Sequence, residues 1–180
     1  PTENFNNDIG PIISKDAFSK LKDYIEVASI DGKNVIQPHD YIDDIYIPPT
    51  IIEIESLSEL ESEQFGPILH IMKFKAGNIQ DVVEEINKLN YGLTLGVHTR
   101  VESRADEIAR TANVGNVYIN RDIVGAVVGV QPFGGEGLSG NGCKAGGPNY
   151  LSQFVSEQVV SKNIVAFGGN TELLNLQNKE

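Results

Sequence analysis

The chain has 180 residues, 40% of them hydrophobic and 22% charged, which is enough for one substantial globular core. Its 25 acidic against 14 basic residues give a net charge of −11, which argues against a nucleic-acid surface. The longest apolar runs, such as GAVVGV from Gly125, are far too short for a membrane span, PTENFNND lacks the features of a signal peptide, and a single cysteine, Cys143, excludes an internal disulfide and fits a cytoplasmic setting.

Ser14 is placed to cap a helix in which Phe18, Leu21 and Ile25 recur at helical spacing, with an end near Gly32. Tyr46 to Ile54 reads as an extended segment, interrupted at Pro48 and Pro49, where proline suits only an edge or a bend. Ile68 to Phe74 is a short apolar run. Asn78 then caps a second helix with Val82, Val83, Ile86 and Leu89 on one face. Leu93 to His98 reads as a strand, Ser103 to Ala112 as a helix carrying Ala105, Ile108 and Ala109, and Asn116 to Ile119 as a strand. This β-α-β-α-β order predicts an α/β fold with a largely parallel sheet, right-handed crossovers and flanking helices. Tyr150 to Phe167 is β-rich by content and is followed by Gly168 and Gly169. A strand in that place is suited to edge pairing with another chain.

Seven of the 18 glycines fall between Pro132 and Pro148, in PFGGEGLSGNGCKAGGP. Glycine at that density fits a main chain that turns tightly or comes close to a ligand or another segment. A flexible linker is the other reading. Phe133, Leu138 and Ala145 interleave with the glycines, and the flanks GAVVGVQ and YLSQFVSEQVV resemble strands, which favours order. A phosphate-binding loop is disfavoured, because Gly142 is followed by Cys143, Lys144 and Ala145 and no hydroxyl stands after the lysine. His39, His70 and His98 have no spacing that points to a metal site.

Four local sequences carry the functional signal: Glu63-Gln64-Phe65-Gly66-Pro67, NYGLTLGVHT from Asn90, GNVYINR from Gly115, and the glycine segment with its PFGG start. Their order and spacing resemble the aldehyde dehydrogenase superfamily. VGAVVGVQPFGGEGLSG, KAGGP and NIVAFGGNTELLNL further resemble the C-terminal part of the proline utilization A family, bifunctional proline-catabolic flavoenzymes, within their L-glutamate-γ-semialdehyde dehydrogenase module. The resemblance runs from Asp8 onward.

That resemblance implies oxidation of L-glutamate-γ-semialdehyde (pyrroline-5-carboxylate) to L-glutamate by NAD⁺, with a cysteine nucleophile and a glutamate general base. Both are expected upstream of Pro1, so no catalytic residue is assigned within the chain. Residues 1–150 are then a partial catalytic domain and 151–180 a C-terminal strand and tail that serves oligomerisation. FAD is expected only in the parent's proline dehydrogenase module. Cys143, inside the glycine segment with no base nearby in sequence, reads as an incidental thiol.

The family likeness also assigns roles to five residues. Glu63 resembles the glutamate that accepts hydrogen bonds from the nicotinamide ribose hydroxyls, the alternative being a solvated acid in the run ELESE. Phe65 is expected beside the nicotinamide, or else in the core. Gly125 and Ala126 match the loop whose main-chain amides anchor the substrate α-carboxylate, the alternative being a β-bulge. Relatives with serine at the place of Ala126 add a hydroxyl donor that is absent here. Phe133 resembles the aromatic that packs on the substrate methylenes, and a loop-anchoring role is equally open. Expected partners are the semialdehyde, upstream modules of the same polypeptide and further copies of the chain; the parent is expected in the cytoplasm, with docking at the inner membrane left open.

Overall fold

The computed structural model describes residues 9–167 apart from 42, 44 and 128. Helix α1, Lys15–Ile30, begins where expected: Ser14 is extended and its hydroxyl accepts the Ala17 N–H at 3.2 Å. This satisfies one of the amide donors that a helix start leaves unpaired. Phe18, Leu21, Ile25 and Ala28 form its buried face. They pack on Ile47, Ile52 and Ile54, so that α1 covers a three-stranded sheet. In that sheet β1, Val35–Ile36, runs antiparallel to β2, Thr50–Glu53, and β2 runs parallel to β3, Ile68–Ile71, with Thr50 opposite Ile68. Pro48 and Pro49 lie just before β2, where the missing N–H costs no ladder bond. The Thr50 hydroxyl, fully buried, donates to the Pro48 carbonyl at 2.8 Å and accepts from Gln37 Nε2 at 2.9 Å.

A second core lies around Val83, Val97, Ala105 and Ile108. It is built from α2, Ile79–Leu89, β5, Thr94–Val97, α3, Glu102–Thr111, and β6, Asn116–Ile119, while the short β4, Tyr91–Gly92, links α2 to β5. Strands β5 and β6 pair in parallel, with Thr94 opposite Asn116 and Val97 opposite Ile119, and α3 is their crossover. Asn78 stands at the N-cap of α2 as expected, but its side chain makes no capping bond.

Three expectations need correction. The β-α-β-α-β order does not form one continuous ladder: β3 pairs with β2, and β5 pairs with β6, in separate sheets among the described residues. Strand β3 ends its sheet with β2 on one edge, and β2 is the extended segment that the alternation of strands and helices had left outside the parallel array. The flank GAVVGVQ is not a strand in its described part. Gly125 has φ +61°, and Val130 and Gln131 turn back to bond the Val127 carbonyl. The stretch after Tyr150 is also not a strand. It forms a 3-10 turn over Leu151–Phe154, and residues 155–163 have no regular structure. No described strand lies beside it to complete a ladder, and its apolar content alone cannot hold an extended chain flat. Residues 168–180, with GGNTELLNL, lie outside the described residues.

Candidate functional site

The glycine segment owes its shape to close approach of backbones. Strand β7, Glu136–Gly137, runs antiparallel to β4, with Tyr91 opposite Gly137, and the Leu138 N–H continues the contact to the Asn90 carbonyl at 2.8 Å. Asn90 ends α2 in the left-handed region, at φ +60°, which turns the chain straight into β4. Gly115 passes so near the loop that a Cβ there would meet the Gly134 carbonyl oxygen at 1.8 Å. Phe133 and Ala145 then close the loop on itself through paired backbone bonds of 3.1 and 2.9 Å. Such reciprocal pairing is incompatible with a free linker. Nor is the loop an anion cradle built around a lysine, since Lys144 Nζ lies 3.2 Å from Glu136 Oε1.

Ala126 and Phe133 come together on one cavity of about 440 Å³, which Gly129, Gln131, Pro132 and Gly146 also line. That volume lies within the range of small-ligand sites. Phe133 is half-buried. Its backbone anchors the loop while the residue lines the cavity. Gly125 sits beside the cavity in a turn at φ +61°, which a side chain would strain. Its amide donates to the Ile123 carbonyl at 3.0 Å and its carbonyl accepts the Tyr118 hydroxyl at 3.0 Å. No strand runs through Gly125 and Ala126, which removes the β-bulge alternative.

Glu63 and Phe65 stand elsewhere, on the loop that leads into β3, and neither lines the cavity of Ala126 and Phe133. This loop is held from behind. Gly66 packs on Leu21 of α1 so closely that a Cβ would lie 2.6 Å from Leu21 Cδ1, and the Pro67 carbonyl accepts the Thr50 N–H at 2.9 Å. Glu63 is exposed, and Phe65 is 81% exposed. Phe65 is therefore not a core residue of this chain, and its ring offers an apolar surface to whatever lies against it.

A polar pair ties α1 to β3. The Tyr24 hydroxyl and His70 Nε2 are 2.8 Å apart with their rings edge to face. Burial raises the Tyr24 pKa and lowers that of His70, with Lys33 also disfavouring a charged imidazole. Lys33 pairs with Glu59, which also accepts the Ser56 N–H in a capping box, and these bonds hold the Glu59 carboxyl down to about 2. Cys143 is exposed, and among the described residues no group of three or more His, Cys, Asp or Glu is arranged to hold a metal.

Sequence reasoning passed over two residues that the structure ties to the loops of Gly125 and Phe133, namely Tyr118 and Asn116. The signal was present in GNVYIN, where polar or aromatic residues recur at every second place of a predicted strand.

The aldehyde dehydrogenase family model matches residues 1–160. The chain is 45% identical over 159 residues to the bifunctional protein PutA of Klebsiella aerogenes, covering 84% of this chain and 12% of that protein. It is 38% identical over 166 residues to the 1-pyrroline-5-carboxylate dehydrogenase of Staphylococcus saprophyticus, covering 89% of this chain and 31% of that one. Among solved structures, a bifunctional proline utilization A protein superimposes with a TM-score of 0.79 at 42% identity, over 88% of this chain and 16% of its own. A 1-pyrroline-5-carboxylate dehydrogenase from Thermus with bound NAD gives a TM-score of 0.73 at 35% identity, over 83% and 29%. The chain thus spans less than a third of the length of each of these relatives. With the family model matched over most of the chain and the fold shared with these enzymes, the protein belongs to the aldehyde dehydrogenase family.

Proposed function

We propose that the chain is the substrate-facing C-terminal portion of an NAD-dependent L-glutamate-γ-semialdehyde dehydrogenase, within a bifunctional proline-catabolic polypeptide whose upstream modules supply the nucleophile, the general base and the flavin site. The observation that carries this reading is the cavity of about 440 Å³ that joins Ala126 and Phe133. It brings together an anchor for a carboxylate and an apolar wall for a short methylene chain, and glutamate semialdehyde has both parts. The relatives named PutA and 1-pyrroline-5-carboxylate dehydrogenase support the same substrate.

In this reading the small-residue turn at Gly125 and Ala126 offers main-chain donors to the α-carboxylate. The Gly125 amide must first release the Ile123 carbonyl, an exchange of one acceptor for a charged and stronger one. Phe133 covers the methylenes, excludes water and limits the positions open to the aldehyde carbon. Glu63 and Phe65 suit NAD⁺ as an exposed two-oxygen acceptor for ribose hydroxyls and an uncovered aromatic face for the nicotinamide side. When bound, NAD⁺ supplies the hydride acceptor of the oxidation.

The test is made in the polypeptide that carries this chain together with its upstream modules. Gly125→Val raises KM for glutamate semialdehyde by about tenfold or more while oxidation of propanal is affected less, and Glu63→Gln raises KM for NAD⁺ alone. Equal losses on both aldehydes would reduce Gly125 to a packing residue, and unchanged NAD⁺ kinetics would remove Glu63 from the cofactor site.

A second reading, as an assembly element, is favoured by the segment from Leu151 to Val160. Phe154, Val155, Val159 and Val160 are 65–84% exposed there. This segment serves association between copies of the chain, and it coexists with the catalytic reading. Among the described residues no helix is long and apolar enough to cross a membrane.

A further inference from the structure

Strand β6 has two working faces. Successive residues of a strand point to opposite sides, so Val117 looks one way while Asn116 and Tyr118 look the other. Val117 packs against the core of Val83, Val97, Ala105 and Ile108. Asn116 and Tyr118 instead meet the two loops that bear the substrate-side candidates. The Asn116 side chain bonds either side of Phe133: Nδ2 donates to the Pro132 carbonyl at 2.9 Å, and Oδ1 accepts the Gly134 N–H at 3.2 Å. The Tyr118 hydroxyl donates to the Gly125 carbonyl at 3.0 Å. Tyr118 is only 5% exposed, and the Arg121 guanidinium lies 4.6 Å from its ring centre, so the ring has little freedom.

The geometry points to Asn116 and Tyr118 as a pair of positioning residues that set the carboxylate anchor and the aromatic wall at a fixed separation, and so select the chain length of the aldehyde. The inference rests on reading Gly125, Ala126 and Phe133 as the substrate pocket. A side-chain amide that grips both neighbours of one aromatic fixes where that ring begins, and a hydroxyl bond to the carbonyl of the anchor residue fixes the other end. Both grips come from residues two apart on one hydrogen-bonded strand, 116 and 118, whose backbone is itself held by β5 at Thr94 and Gly96. The separation between the loops is therefore inherited from the pitch of a strand and not from the loops' own flexible chain.

The two grips predict different kinetic signatures. Tyr118→Phe keeps the ring and its stacking on Arg121 but removes the bond to the anchor. In the polypeptide with its upstream modules it raises KM for glutamate semialdehyde by about three- to tenfold, the range expected for one lost neutral hydrogen bond. KM for propanal, which has no carboxylate, and KM for NAD⁺ stay as they were. Asn116→Ala frees the aromatic side and raises KM for both aldehydes by a similar factor. Asn116→Asp keeps the acceptor for the Gly134 N–H but turns the donor to Pro132 into a carboxylate oxygen facing that carbonyl, so it raises both KM values at least as far as Asn116→Ala; it also serves where the alanine variant folds poorly.

Amide hydrogen exchange on the same proteins separates this inference from the reading beneath it. Faster exchange at Gly134 in Asn116→Ala and at Gly125 in Tyr118→Phe, together with the KM pattern above, supports positioning. Unchanged exchange at both amides would overturn the positioning role even if the pocket is correctly identified. Faster exchange with no change in either aldehyde KM would overturn the identification of the pocket, and the specificity role with it.

Discussion

Glu59 is a small residue-scale case in which one side chain joins two segments. It accepts from Ser56 and Glu55 amides on its own turn and pairs with Lys33 beyond the end of α1, which accounts for a carboxyl held down to about 2. A carboxylate whose pKa is lower in the folded chain than in the unfolded one adds stability above the unfolded value and loses it as the pH falls towards the folded value. Urea midpoints of the wild type should therefore drop between about pH 5 and pH 2 more steeply than those of Glu59→Gln, the two curves converging at the acid end. Parallel curves would mean that the Lys33 pair and the capping box contribute nothing measurable. At this scale the sequence was a partial guide. ExFGP marked Glu63 and Phe65 as functional candidates, yet nothing local distinguished a core phenylalanine from one that is 81% exposed, because that depends on what the neighbouring elements leave uncovered. Asn116 is harder still to find, since its importance comes from Pro132 and Gly134, which are brought to it only by the folded loop.

Among the elements, those with strong periodicity were legible: α1 and its Ser14 cap, α2, α3 and β6 lie within a few residues of where their spacing placed them. What failed was pairing. Which strand lies beside β3 is decided by long-range contact, so the local pattern did not show that β2 would pair with it. The glycine loop was recognised as backbone-driven, and its partners β4 and Gly115 supply the reason. At Gly115 the consequence is testable. A methyl group placed 1.8 Å from the Gly134 oxygen forces one of the two backbones to move. Gly115→Ala is expected to cost about 1–3 kcal/mol, as overpacking typically does, and to speed amide exchange at Phe133 and Ala145, whose mutual bonds close the loop. A variant of wild-type stability with those amides still protected would show that the loop does not rely on this contact.

For the whole molecule, the dominant feature is how much apolar surface remains uncovered. Phe65 and Leu69 before and within β3, Val124 beside the Gly125 turn, and the large apolar residues from Leu151 to Val165 along the tail are all more than half exposed, more than a self-sufficient surface ordinarily shows in contiguous stretches. Light scattering of the 180-residue chain is expected to show self-association that weakens when Val159 and Val160 are both changed to lysine; a monomer insensitive to that change would remove the tail from any interface. The stretch from Val155 to Asn163 has no regular structure and no internal partner strand among the described residues. An uncovered segment of that kind is a preferred point for proteolytic attack. In a cell the unassembled chain would then be short-lived and the assembled one durable. Its abundance would follow the supply of its partners more closely than its own rate of synthesis.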